Sequence, residues 1–119
     1  MGLIRGVMLA SLFLLTVVSV SARETREVIM RIGLPNGASP ELRVVERETG
    51  SVSLPKVGTF GFVPVATDDK TATITVLDLT NGERKQIAEV TLSVGAGPVP
   101  TDSTPQFNIR LLRVVRHQQ

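Results

Sequence analysis

The sequence predicts an all-β fold, a small antiparallel β-sandwich of about seven strands, and three observations favour it. Beyond residue 22, apolar and polar side chains alternate with a period of two, as they do in half-buried strands. Clusters of Gly, Pro, Asn, Asp and Thr interrupt the alternation about every 8 to 12 residues. No stretch between these clusters has the period of an amphipathic helix.

Three strands are predicted at the start of the domain. The first covers residues 26–34, where apolar and polar side chains alternate, and the turn residues Pro35-Asn36-Gly37 end it. A second strand is expected over 41–47, and Thr49-Gly50 turns the chain into a third near 52–54. The register of the third strand stays open.

The fourth predicted strand, residues 59–66, contains a proline. Pro64 has no N–H to donate to a neighbouring strand, so we expect this strand to lie at a sheet edge or to end in a bulge. Phe60 and Phe62 of this strand occupy positions that alternate toward the core. Asp68-Asp69-Lys70 is the turn that follows.

A hairpin is predicted between residues 71–79 and 84–94. A two-residue turn at Asn81-Gly82 would place the apolar side of each strand opposite the polar side of the other. A three-residue loop, 80–82, keeps the apolar sides together and requires a positive φ at Gly82. The pairs expected from this loop are Ala72 with Val90, Ile74 with Ala88 and Asp78 with Arg84.

The last part of the domain is predicted to be a long loop and a final strand. Residues 95–105 contain two Gly and three Pro, and the loop is long enough to cross from one sheet to the other. The final strand begins at Phe107, and the consecutive Leu111-Leu112 break its alternation. Either a bulge restores the buried side, or both faces of Val114-Val115 are covered.

This spacing of short strands resembles the immunoglobulin and fibronectin type III architectures. The resemblance is one of pattern only, because the chain has no Cys and no Trp to form the disulfide and core tryptophan of true immunoglobulin domains. It implies the sandwich architecture and assigns no functional residue.

Residues 1–22 are predicted to be a signal-peptide helix that precedes the single domain, 23–119. Arg5 comes before an uncharged run to Ala22, and Val20 and Ala22 are the small residues that a signal peptidase requires. We therefore expect a secreted or periplasmic protein of bacterial origin, with no stable membrane insertion after cleavage. The alternative is an uncleaved helix that anchors the domain, although the run is short for a membrane span.

The composition excludes several classes of function. Without the signal peptide, 13 Lys and Arg less Arg5 against 11 Asp and Glu leave a net charge of +1, which favours no nucleic-acid partner. The absence of Cys excludes disulfides and thiolate metal sites. We expect no cofactor, and the sequence does not indicate an oligomeric state.

The reactive side chains are too few to predict an enzyme. The chain has one His, His117, close to its end, and no Cys, Tyr or Trp. Asp68 and Asp69, with Asp102 from the long loop, are weak candidates for a calcium site, since oxygen ligands from loops suit that ion. The favoured interpretation of the two adjacent aspartates is a polar turn.

Three arginines recur at every third position near the end of the chain, Arg110, Arg113 and Arg116. On a helix they would form a basic stripe suited to an anionic membrane. The β-branched residues around them favour a strand, on which the three arginines are divided between the two faces.

The sequence thus predicts an exported, non-catalytic module that binds another exported or cell-envelope protein or serves as an accessory subunit of an assembly. One candidate surface is an exposed strand edge at Phe60, Phe62 and Val63. The alternative function is a secreted inhibitor or ligand carrier that acts through the 95–105 loop. Its candidate contact residues are Pro98, Val99 and Pro100.

Overall fold

The computed structural model describes residues 25–117, and the predicted signal peptide at 1–22 lies outside the described residues. Within 25–117 there are strands and turns and no helix, as the alternation of apolar residues predicts. No helix in that range has the length and apolar character needed to cross a bilayer.

Eight antiparallel strands follow one another along the chain. The seven predicted strands are present, and the additional one is a two-residue strand inside the long loop. The strands are β1 (Thr25–Gly33), β2 (Glu41–Val45), β3 (Gly50–Leu54), β4 (Gly58–Asp68), β5 (Thr71–Asp78), β6 (Lys85–Ser93), β7 (Val99–Pro100) and β8 (Asn108–His117).

The strands form two four-stranded sheets. Sheet I has the order β2-β1-β8-β7, and sheet II has the order β3-β4-β5-β6. The chain passes between the sheets twice, from β2 to β3 and from β6 to β7. The second passage is the 95–105 loop, so the predicted crossing is confirmed.

The core lies between the sheets and is centred on three phenylalanines. Val28, Met30 and Ile32 of β1 face it and are fully buried. The ring of Phe107, which immediately precedes β8 of sheet I, lies 5.3 Å from the rings of both Phe60 and Phe62, from sheet II. These tilted and edge-to-face contacts join the two layers.

A bulge in β8 resolves the break at Leu111-Leu112. Met30 of β1 lies opposite Leu111, and Ile29 lies opposite Arg113, so Leu112 is the extra residue. After the bulge Val114 again packs against the core. The predicted bulge is therefore confirmed, with Val114 rather than Leu112 returning to the buried side.

The position of the proline strand was predicted only in part. β4 is an inner strand of sheet II, so the predicted sheet edge is wrong for its first half, which pairs with β3. β3 begins at Gly50, opposite Phe62, so it does not extend along β4 as far as Pro64, which pairs only with β5. The Pro64 nitrogen, which has no hydrogen, faces the turn after β2, where the Arg47 backbone N–H donates to the Pro64 carbonyl at 2.8 Å. A bulge at Thr67 then ends the regular ladder, as expected.

The register predicted for the β5–β6 hairpin from a three-residue loop is wrong. Ile74 pairs with Val90 rather than with Ala88. Next to the turn, Asp78 pairs with Lys85 rather than with Arg84, and this is the register that the disfavoured two-residue turn would give there. The change from Ala88 to Val90 is two residues, so the apolar sides still face each other. A bulge at Ile87 offsets the register near the turn. The predicted positive φ of Gly82 is confirmed at 82°.

Candidate binding surfaces

The edges of the two sheets differ in length and composition. On one side the sandwich ends in β2 and β3, each of five residues, which are joined by the short turn at 46–49. On the other side sheet I ends in the two residues of β7, whereas sheet II ends in the nine residues of β6. β6 is the longest edge strand within residues 25–117, and it contains no proline.

The backbone of β6 presents a row of hydrogen-bonding groups to solvent. The Val94 N–H donates to the carbonyl of Lys70 at 2.9 Å, so the backbone of Val94 faces the β5 side. Backbone groups of successive residues point to opposite sides of a strand. In the ladder between β5 and β6, the N–H and C=O groups of Glu89, Thr91 and Ser93 therefore point away from β5.

Of the side chains of β6 that face the core, Leu92 is buried, but those nearer the turn are incompletely covered. Ala72 and Ile74 of the adjacent β5 are fully buried. On β6, by contrast, Ile87, Ala88 and Val90 pack against the core but stay partly exposed. An additional strand along β6 would cover these apolar side chains as well as satisfy the outward backbone groups.

The adjacent edge of sheet I lacks such groups. The Thr101 N–H donates to the Phe107 carbonyl at 2.8 Å, so the backbone groups of Thr101 face β8. By alternation, the nitrogens of Pro98 and Pro100 face away from β8 and carry no hydrogen. This edge therefore has no donors at the two positions where a further strand would need them.

The surface predicted at Phe60, Phe62 and Val63 does not form an open strand edge. Phe60 and Phe62 are 2% and 0% exposed and belong to the core, so these side chains cannot contact a partner. Val63 is partly exposed and pairs with Thr75 of β5. The structure therefore moves the open edge of sheet II from β4 to β6.

Of the three predicted contact residues of the long loop, Val99 is held against the domain and the two prolines are exposed. Val99 pairs with Ile109 and packs on the core. Thr101 is 1% exposed, and its hydroxyl accepts a hydrogen bond from the Phe107 N–H at 2.9 Å. Pro98 and Pro100, on either side of Val99, are exposed.

The three aspartates considered for a metal site do not come together. Asp68 and Asp69 form the turn after β4, and Asp69 pairs with Arg116 at 2.7 Å, at the far end of β8. Asp102 lies beside the start of β8, about 25 Å away at roughly 3.3 Å per residue. Within residues 25–117, no group of three or more His, Asp or Glu has the proximity for a metal.

The Asp68 side chain acts in the turn itself. The Lys70 backbone N–H donates to Asp68 Oδ1 at 2.8 Å, and this bond holds the pKa of the Asp68 carboxyl below its ordinary value. This geometry is that of an Asx turn. The favoured interpretation of Asp68-Asp69 as a polar turn is confirmed.

The arginines near the end of the chain lie on a strand, and the helix alternative is wrong. Arg110 and Arg113 lie at positions on the outer face of sheet I. Arg116 pairs with Arg26, and by alternation along the strand it occupies a position on the inner face. His117 lies 3.4 Å from a carboxylate oxygen of Glu27. The sequence did not indicate that β1 would bring Arg31 directly opposite Arg110.

Comparison of the chain with protein-family models, with curated proteins and with solved structures gives no match.

Proposed function

We propose that this protein is an exported, non-catalytic interaction module that binds an extended segment of another exported or cell-envelope protein along β6. The partner segment adds a fifth strand to sheet II. Small β-sandwiches such as immunoglobulin and fibronectin type III domains are the architectural precedent, since their sheets present edges and loops on a rigid core. In sheet II the four strands follow one another along the chain, so the precedent is the sandwich architecture and not the strand connectivity of those domains.

The observation that carries this proposal is the open β6 edge. Glu89, Thr91 and Ser93 direct their backbone groups outward, and the half-covered Ile87 and Val90 lie beside them. Strand addition uses both features, because the main chain supplies affinity and alternate side chains supply specificity. We expect the partner segment to place apolar side chains toward the core and polar ones toward solvent.

Thr91→Pro is the substitution that tests the proposal. It removes an outward N–H without removing a donor to β5, and proline is tolerated at such edge positions. Thr91→Ala is the matched control. It removes the 3.2 Å hydrogen bond between the hydroxyl groups of Thr91 and Thr73 but keeps the backbone N–H of residue 91. Both variants should keep the far-ultraviolet circular dichroism spectrum of the parent.

The readout is a crosslinked pull-down from the native exported fraction, quantified by mass spectrometry. A partner captured by the parent and by Thr91→Ala should be recovered at least about tenfold less with Thr91→Pro, equivalent to about 1.4 kcal/mol. Equal recovery by a folded Thr91→Pro variant would exclude strand addition at β6.

The alternative function, an inhibitor or ligand carrier acting through residues 95–105, needs that loop to enter a cleft or close a pocket. Val99 already packs on the core and Thr101 is buried, so the middle of the loop is not free to enter a cleft. The β6 edge offers the larger set of unused groups, and we therefore prefer strand addition.

A further inference from the structure

A small depression on the outer face of sheet I has two arginines among its lining residues. It measures about 160 Å³, well below the about 300 to 1,000 Å³ of pockets that hold drug-sized ligands, so it suits a single small group. Strands β1 and β8 form its floor, and two loops form its ends. Its lining residues are Arg31, Gly33, Ser39, Pro98, Asn108 and Arg110.

The floor places two positive charges side by side. Arg31 is directly opposite Arg110 in the pairing of β1 with β8. Like charges at directly opposed positions of a sheet repel each other and destabilise the pair. An anion between them would remove that repulsion.

The carboxylate nearest to these arginines only partly neutralises them. Glu41 lies 3.6 Å from Arg31 Nη2 and 3.6 Å from Arg43 Nε, so one negative charge serves two guanidinium groups. Arg110 donates through Nε to the Ala96 carbonyl at 3.5 Å, and within residues 25–117 it pairs with no carboxylate. The depression therefore keeps an excess of positive charge.

The other lining residues leave room for a ligand and supply further donors. Gly33 lies opposite Asn108, and a Cβ on Gly33 would come within 3.3 Å of the Asn108 Cβ. The absence of that side chain keeps the floor open. The Asn108 amide and the Ser39 hydroxyl add neutral donors of the kind that bind oxyanions together with arginine.

We propose that this depression binds a small oxyanion, a carboxylate or phosphate group, between the guanidinium groups of Arg31 and Arg110. The planar guanidinium presents paired N–H groups that match two oxygens of such a ligand. Asn108 and Ser39 complete the set of donors. This site is on the outer face of sheet I, so it does not depend on strand addition at β6.

Binding is tested by titrating the isotope-labelled protein with inorganic phosphate and, separately, with acetate, at constant ionic strength maintained with sodium chloride. We expect saturable shifts of the backbone amide and arginine Nε–H signals of Arg31, Gly33, Asn108 and Arg110. The anion with the lower dissociation constant, phosphate or acetate, identifies the preferred ligand class. Shifts that neither anion saturates, or that chloride alone reproduces, would overturn the proposal.

Two arginine variants separate a site from general charge attraction. Arg110→Gln removes a lining charge, and we expect it to weaken binding at least about tenfold, since bonds from charged donors are the stronger ones. Arg113→Gln removes an exposed charge from the same strand and face but outside the depression. It should change the dissociation constant less than about twofold at that ionic strength. An equal loss in both folded variants would show nonspecific attraction and refute the site.

Discussion

Replacement of Phe107 by alanine tests whether the aromatic contact between the sheets stabilises the sandwich. The Phe107 side chain is fully buried, and its ring lies 5.3 Å from the rings of both Phe60 and Phe62. Large-to-small substitution of a core phenylalanine costs about 3–5 kcal/mol. Each aromatic pair adds about 0.5–1.5 kcal/mol beyond area burial. Since two pairs are lost, we expect a decrease of about 5 kcal/mol in the free energy of unfolding.

That loss is large for a domain of this size. At about 0.05–0.15 kcal/mol per residue, the 93 described residues have a total stability of about 5–14 kcal/mol. Phe107→Ala should therefore keep about 0–9 kcal/mol, and at the low end of that range it is partly unfolded at 25 °C. Urea unfolding must be followed by circular dichroism, because the chain has no Trp and no Tyr to serve as a fluorescent probe.

A surface control distinguishes the core contact from a general sensitivity to losing apolar side chains. Val57 is 55% exposed, and Val57→Ala should change stability by no more than about 0.5 kcal/mol. A loss below about 2 kcal/mol for Phe107→Ala, measured against this control, would refute the central role of the phenylalanine cluster.

Three further changes test local features. Thr101→Val leaves the buried N–H of Phe107 without its acceptor, and urea unfolding should show a loss of about 1–3 kcal/mol. Gly58 has a φ of 151°, so Gly58→Ala should cost about 1–3 kcal/mol in the same assay, whereas Gly97→Ala, in open space, should cost nothing. Asp68 has a lowered pKa in the folded protein, so its stabilisation is present above the unfolded pKa and is lost as the pH falls through the folded value. Asp68→Ala should therefore destabilise at neutral pH and have little effect in strong acid, and equal losses at both would contradict this.

The hairpin shows which part of the fold the sequence determines locally. An alternation with a period of two specifies which face of the sheet each side chain occupies. That face stays the same when the register between two strands shifts by two residues. This is why Ile74 faces an apolar partner although that partner is Val90 and not Ala88. The positive φ of Gly82 was predictable because turn chemistry depends on the neighbouring residues alone. The bulge at Ile87 depends on the whole hairpin, and no local pattern indicates it.

The misplaced edge strand has a different physical reason. Pro64 correctly indicates a position that has no neighbouring strand on one side. It does not indicate that the rest of β4 lies at the edge of the sheet. β3 covers β4 only as far as Phe62, and the turn after β2 then takes its place. In that turn the Glu46 carboxylate accepts the Ala66 N–H at 2.8 Å. Contacts of this kind, between distant segments, are not visible in the sequence of the strand itself.

The candidate sites follow from the same distinction. Arg31 and Arg110 are 79 positions apart in the chain, and only the pairing of β1 with β8 makes them neighbours. The free backbone of β6 is likewise a consequence of strand order. The sequence predicted a non-catalytic β-sandwich, whereas its interaction surfaces depend on which strands are adjacent.

If a partner strand adds to β6 as proposed, the difference between the two neighbouring edges predicts a complex of defined size. An open edge accepts a strand, and a sandwich with complementary open edges on both sides can assemble into a fibre. Here the prolines at 98 and 100 remove the donors from the edge of sheet I, and β2 and β3 offer five residues each. β6 alone offers nine residues with a half-covered apolar row beside them. A single added strand satisfies that edge, so addition at β6 favours a one-to-one complex over polymerisation.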